Sequence, residues 1–171
     1  MKKGLLSGSL IRVLVLVFIF LIPQLVKSQI RQQLVWDELP PLPEKFGYAG
    51  MFAGVSNDQL ICMGGANFWG DSVRKGEEKT WYDNIYLYSK NDSRWNLATQ
   101  KLPKPLAYGV SVTYGNKIIL VGGNNQQGYY ADVYSIEYNN GKIVIDSLPS
   151  LPFPLANMTG TLVGNTLFVA G

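Results

Sequence analysis

The 171-residue sequence contains no histidine and a single cysteine, Cys62. The first absence excludes Ser-His-Asp and Cys-His catalytic machinery and any imidazole metal ligand within these residues. The second excludes an intrachain disulfide and a cysteine-rich zinc site. Charge is also sparse: Asp, Glu, Lys and Arg make up 16% of the chain, 15 basic against 12 acidic. What is abundant is apolar and aromatic, 47% and 12% respectively, which excludes a disordered chain. The formal charge of +3 would by itself raise nucleic acid or an anionic membrane as a partner.

That charge is concentrated at one end. Lys2, Lys3 and Arg12 precede an unbroken apolar run, Val13 to Ile22, of ten residues. A bilayer span takes about 20 residues, so the run is too short for one and suits a signal-peptide core. Pro23 then breaks the helix, and Val26-Lys27-Ser28 offers a cleavage site, giving residues 1–28 as a signal peptide and Gln29 as the mature start. The expected destination is the periplasm or the exterior. The leader holds Lys2, Lys3, Arg12 and Lys27 and no acid, so the remainder carries 11 basic and 12 acidic residues, a net of −1. The argument for a nucleic-acid partner goes with the leader, and no stable membrane association is expected after cleavage.

The remainder is organised by an internal repeat. Leu60-Ile61-Cys62-Met63-Gly64-Gly65, Ile119-Leu120-Val121-Gly122-Gly123 and Leu167-Phe168-Val169-Ala170-Gly171 are short β-rich runs ending in glycine. Six residues before Gly64, Gly122 and Gly171 lie Asp58, Asn116 and Asn165, each in a turn dipeptide; fifteen before lie Ala49, Ala107 and Ala156. Leu-Pro clusters precede those: Leu39 to Pro43, Leu102 to Pro105 and Leu148 to Pro152. Each unit predicts a small-residue strand (Gly50 to Val55, Gly109 to Thr113, Gly160 to Val163) turning into the apolar strand. A third strand follows at Asn84 to Tyr88 and Asp132 to Ile136, and a fourth at Arg94 to Leu97 and Lys142 to Ile145. Four antiparallel strands in a unit near 50 residues describe a propeller blade. The glycine pairs are expected where a Cβ would clash or φ must be positive, and Tyr86, Tyr134 and Trp95 are expected to pack between blades.

Gly-Gly followed by a spaced Tyr and then Trp resembles the kelch pattern, so the fold class is all-β, a kelch-type β-propeller. Leu34 to Pro40 aligns with Arg94 to Leu97 and predicts a leading fourth strand, and the chain stops inside its third glycine motif. Residues 29–171 are therefore expected to form a partial propeller truncated at its C-terminus, about two and a half blades of six.

In such a blade the 4–1 and 2–3 connections share one face. Gly64 to Tyr86 spans 22 residues where Gly122 to Tyr134 spans 12, so the first 2–3 loop carries about ten extra residues. Long loops on rigid scaffolds tend to carry function. The insert, Asn67 to Trp81, mixes aromatic, amide and charged groups that suit a carbohydrate. Asn67, Phe68, Trp69 and Arg74 are the substrate-binding candidates there, Arg74 as a fork for a carboxylate. Asn124, after the second glycine pair, is a further candidate on the same face.

Phe46 to Asp58, Gly64-Gly65-Ala66-Asn67-Phe68, Tyr82-Asp83-Asn84-Ile85 and Ala107-Tyr108-Gly109-Val110-Ser111 resemble more than a generic kelch pattern. Together they resemble the N-acetylneuraminate epimerase family, the exported sialic acid mutarotases, in a cyclically permuted order. The resemblance implies a six-bladed propeller that interconverts the α and β anomers of sialic acid without metal or cofactor. The chemistry is acid–base: deprotonate the anomeric hydroxyl, protonate the ring oxygen, open and reclose the ring. The family's catalytic glutamate has no counterpart in this sequence and is expected beyond Gly171, so no catalytic residue is assigned and the fragment alone is expected to be inactive. Leu106 stands where the family has a basic residue before Ala107-Tyr108-Gly109. The competing reading is a non-enzymatic kelch propeller that binds glycan or protein.

Overall fold

A computed structural model describes residues 34–69 and 78–171. The proposed leader, residues 1–28, lies outside them. Among the described residues the regular structure is strand only. The first blade opens with β1 (Phe52–Ser56) and β2 (Gln59–Met63), which pair antiparallel from Phe52↔Met63 to Ser56↔Gln59. The turn between them is Asn57-Asp58, both at positive φ (44° and 62°), the geometry that lets a two-residue hairpin match strand twist. A two-residue ribbon, β3 (Ala66–Asn67) with β4 (Thr80–Trp81), interrupts the blade before β5 (Ile85–Ser89) and β6 (Arg94–Leu97) complete it in the order β1-β2-β5-β6.

The second blade repeats this plan. Here β7 (Val110–Tyr114) and β8 (Lys117–Val121) are followed by the ribbon β9 (Asn124–Asn125) and β10 (Gly128–Tyr129), then β11 (Val133–Asn139) and β12 (Lys142–Leu148). Its sheet runs β7-β8-β11-β12. A third hairpin, β13 (Thr159–Val163) with β14 (Thr166–Ala170), ends the chain. Leu34 to Pro40, expected as a strand, forms none. A strand exists through its ladder, and those residues have no ladder partner among the described ones.

Residues 39–171 form one unit. Its core comes from period-2 alternation: Ile61 and Met63 of β2 and Ile118 and Leu120 of β8 are fully buried, joined by Phe52, Ile85, Leu106 and Ile136. Adjacent blades do not continue each other's ladder. Instead, hydroxyls of β7 serve the open edge of β1. Ser111 Oγ accepts from the Ala53 amide at 3.0 Å and donates to the Ala53 carbonyl at 2.8 Å, and Thr113 Oγ1 accepts from the Val55 amide at 3.0 Å. The open edge is thereby closed without fusing the two sheets.

The Leu-Pro segments acquire a role. Leu102 and Leu106 donate their amides to the carbonyls of Asp83 and Tyr82, and Leu151 and Leu155 donate theirs to those of Ala131 and Tyr130. The Leu106 carbonyl accepts from Gly65 at 2.9 Å, and the Leu155 carbonyl from Gly123 at 2.8 Å. Each 4–1 connection is thus stapled to the 2–3 loop and to the glycine pair of the blade it leaves. The expectation for the glycines holds on both counts. Gly122 has φ +58°, and a Cβ there would stand 2.5 Å from the Leu155 carbonyl oxygen.

Tyr86 and Tyr134 are buried, and half-buried Trp95 donates its Nε1–H to the Pro40 carbonyl at 2.8 Å. The Tyr86 hydroxyl donates to Glu44 Oε1 at 2.9 Å, which leaves Tyr48, 3.0 Å away, and Asn84 Nδ2, at 3.2 Å, as its donors. Burial, with Tyr48 and Glu44 adding to it, raises the Tyr86 phenol well above its ordinary value. A phenol held protonated only in the fold contributes stability that is complete below its unfolded pKa, about 10, and is lost as pH rises beyond it. Tyr86→Phe is expected to cost about 1–3 kcal/mol at neutral pH by leaving its partners unpaired. It should also flatten the alkaline loss of stability. Because burial also raises Cys62, Tyr82 and Tyr134, the informative quantity is the difference in slope between the two proteins in denaturant melts above pH 10. Equal slopes would assign the loss to those other groups.

Candidate functional site

The insert expected in the first 2–3 loop falls between the two strands of a short ribbon that both blades possess. In β3–β4 the register is Ala66↔Trp81 and Asn67↔Thr80, whereas β9–β10 closes at once with Asn125↔Gly128. The ribbon is anchored at its base by reciprocal backbone bonds between Ala49 and Ala66, repeated in the second blade between Ala107 and Asn124. Residues leaving β3 therefore alternate sides, and the candidates divide accordingly.

Asn67 and Trp69 go to one side. Asn67 Oδ1 accepts from the Tyr82 hydroxyl at 2.9 Å, Tyr82 meets Tyr48 edge-on at 4.9 Å, and Trp69 meets Phe46 edge-on at 5.7 Å. Burial raises the Tyr82 phenol, and Tyr48 adds to it. Phe68 goes to the other side, toward the second blade. There Lys79 places its ammonium 5.7 Å from the Phe68 ring, 5.4 Å from Trp81 and 4.2 Å from Tyr108, and it donates to the Tyr108 hydroxyl. Trp81 Nε1 donates to Asn124 Oδ1 at 3.2 Å, so Asn124 belongs to this cluster. Arg74 lies outside the described residues.

Beside the cluster is an open cavity of about 200 Å³ lined by Glu78, Lys79, Trp81, Asn125 and Gln126, among others. Its polar wall is fixed. Buried Asn125 donates to the Pro105 carbonyl at 2.9 Å and accepts from the Gln127 amide and the Tyr130 hydroxyl. Gln126 Nε2 donates to Glu78 Oε2 at 2.9 Å. Aromatic faces, a cation and amides converge on one concave surface, a composition that suits a small polar ligand with an apolar face.

Residue type and loop length alone do not single out Tyr108 as a site residue. It has φ +62°, a conformation costly for a residue with a Cβ and often stored at functional positions. Repeat register supplies the missed signal: the equivalent positions are Gly50 (φ +65°) and Asn157 (φ +56°), two residue types that tolerate this region. An aromatic residue in that register is out of place for backbone reasons. The Tyr108 amide donates to the Gly50 carbonyl at 2.9 Å and its carbonyl accepts from Asn157 at 2.7 Å, so both neighbours hold it there. Lys79 and Trp81 lie within or at the end of the insert, and only the second blade reveals what they face.

Comparison with known proteins gives a consistent set. Residues 24–145 match the sequence profile of N-acetylneuraminate epimerase. The N-acetylneuraminate epimerase of Haemophilus influenzae strain 86-028NP is 33% identical over 126 residues, covering 65% of this chain and 33% of that protein. The enzyme of that name from Yersinia enterocolitica serotype O:8 is 37% identical over 131 residues, covering 71% and 32%. Among solved structures, that of YjhT matches with a TM-score of 0.58 at 30% identity, over 68% of this chain and 36% of its own. The blades are thus those of a β-propeller, and the chain spans about a third of the length of these relatives.

Proposed function

The chain belongs to the N-acetylneuraminate epimerase family, and from that premise we propose that it forms part of a sialic acid mutarotase, an isomerase that exchanges the α and β anomers of N-acetylneuraminate. The observation that supports this reading is the cluster of Lys79, Trp81, Tyr108 and Asn124 beside a cavity on the face where the connections gather. A sialic acid presents a pyranose with an apolar side, an N-acetyl group and a carboxylate. Trp81 and Tyr108 offer ring faces for the first, and the asparagine and glutamine amides offer partners for the second. Anomer exchange needs one group to take the proton of the anomeric hydroxyl and another to protonate the ring oxygen. No described residue is assigned either transfer.

A second reading, glycan binding without chemistry, is favoured by one observation. Glu78, the carboxylate lining the cavity, already accepts from Gln126. One experiment separates the two. N-acetylneuraminate freshly released as its α anomer is followed by proton NMR with and without the whole protein of which this chain is proposed to form part. The mutarotase reading expects a faster approach to anomeric equilibrium. Line broadening of the sugar at an unchanged rate would replace it with the binding reading.

A further inference from the structure

Among the described residues Lys79 has no counter-ion. The ion pairs among the described residues are Lys101–Asp83, Lys104–Asp132 and Lys117–Glu137, and none involves Lys79. The neighbouring carboxylate, Glu78, is bonded to Gln126 instead. The ammonium is held by a phenol oxygen and by ring faces 4.2 to 5.7 Å away, contacts that fix its position and leave its charge intact. It has three N–H donors, of which Tyr108 takes one. It is half-buried, at the wall of the cavity. A partly desolvated, positioned charge with donors left over, opening onto a concave surface, is a seat for an anion.

We propose that Lys79 anchors the carboxylate of an acidic sugar, and that the Lys79–Tyr108 pair makes this face select sugar acids over their neutral counterparts. The inference rests on the reading that the cavity takes a sialic acid, and it deepens that reading by naming the residue that recognises the charge. Tyr108 is a positioning residue: its hydroxyl and ring set where the ammonium sits, and its left-handed backbone, bonded to Gly50 and Asn157, sets where the ring sits. Lysine makes a point contact with a carboxylate, where an arginine would make a planar fork. The site should therefore fix the location of the acid group and leave its rotation to the ring faces and amides.

The test uses the methyl α-glycoside of N-acetylneuraminate, whose anomeric centre is locked, so that binding is read without any exchange. The full chain is titrated with this acid and with its methyl ester, and both affinities are measured by calorimetry or NMR. The unsubstituted chain should bind the acid about ten- to a hundredfold more tightly than the ester, the range expected for hydrogen bonds to a charged group. Lys79→Gln should bring the acid down to the ester and leave the ester unchanged. Lys79→Met, which keeps the aliphatic stem under the same rings, should do the same and serves if the glutamine variant does not fold. A preference that survives both substitutions, or one erased by Arg74→Gln alone, overturns the anchor and leaves the sialic acid reading in place. Failure of the unsubstituted chain to bind either compound overturns both.

Discussion

Gly122→Ala is expected to cost on the order of 4 kcal/mol, while Gly115→Ala, at the same φ of +58°, costs about 1 kcal/mol. At Gly115 nothing lies within 4 Å of the added Cβ, so only the left-handed backbone is strained. At Gly122 the new atom would stand 2.5 Å from the Leu155 carbonyl oxygen and 2.5 Å from the Met158 terminal methyl. The methionine can swing away. The carbonyl cannot without loosening its 2.8 Å bond to the Gly123 amide. Overpacking against backbone, about 1–3 kcal/mol, and one weakened buried hydrogen bond, about 1 kcal/mol, add to the shared backbone term. Denaturant melts of the two variants separate the contributions, because their difference cancels φ. Equal destabilisation would mean that crowding at the glycine pair is absent.

The second large effect is expected at the seam between blades. Phe52→Ala should lower stability by about 3–5 kcal/mol. Phe52 is 1% exposed, and its ring reaches across to β7, where Cε1 would lie 2.6 Å from a Cβ on Gly109. No side chain on the β7 side can grow into the space, because Gly109 is also hemmed by the carbonyls of Val121 and Gly122 at 2.5 and 2.9 Å. The cavity should therefore stay open, which places the cost toward the upper end. A single transition with an unchanged denaturant slope would indicate that both blades melt together; a loss under 1 kcal/mol would show that hydroxyl rungs, not apolar burial, hold the seam.

These expectations trace to features that were legible to different degrees. Strand identity was legible because small residues, apolar alternation and paired glycines recur in register; Arg94–Leu97 lies where it was expected, and Ile85–Ser89 is displaced by one residue. The second blade's outer hairpin runs longer than expected, to Asn139 on β11 and to Leu148 on β12. Its turn is Asn140-Gly141, both at positive φ, an Asn-Gly hairpin signal that sets the length of the two strands. Leu34 to Pro40 misled because likeness to Arg94–Leu97 reports side-chain pattern, whereas a strand also needs a neighbour. The site was half legible. Loop length pointed to Phe68 and the second glycine pair to Asn124, and strand alternation then divided Asn67 and Trp69 from them. Lys79 was hidden for a physical reason: its meaning depends on Tyr108, 29 residues away on the next blade, and no local pattern encodes that meeting.

The bonds that join Gly50, Tyr108 and Asn157 have a consequence for how such a surface changes over time. They use only amide and carbonyl groups, so the mechanical link between successive units is blind to what each position displays. A hydrogen atom, a phenol and a carboxamide occupy three copies of one address. Substitution there can alter the chemistry of the ligand face in one unit while the others and the linkage stay as they were. The backbone confines the drift to residues that accept the left-handed region or are compensated for it, so variation is filtered before it reaches the ligand. Specificity in this architecture is inherited piecewise, and a new preference can arise without a new scaffold.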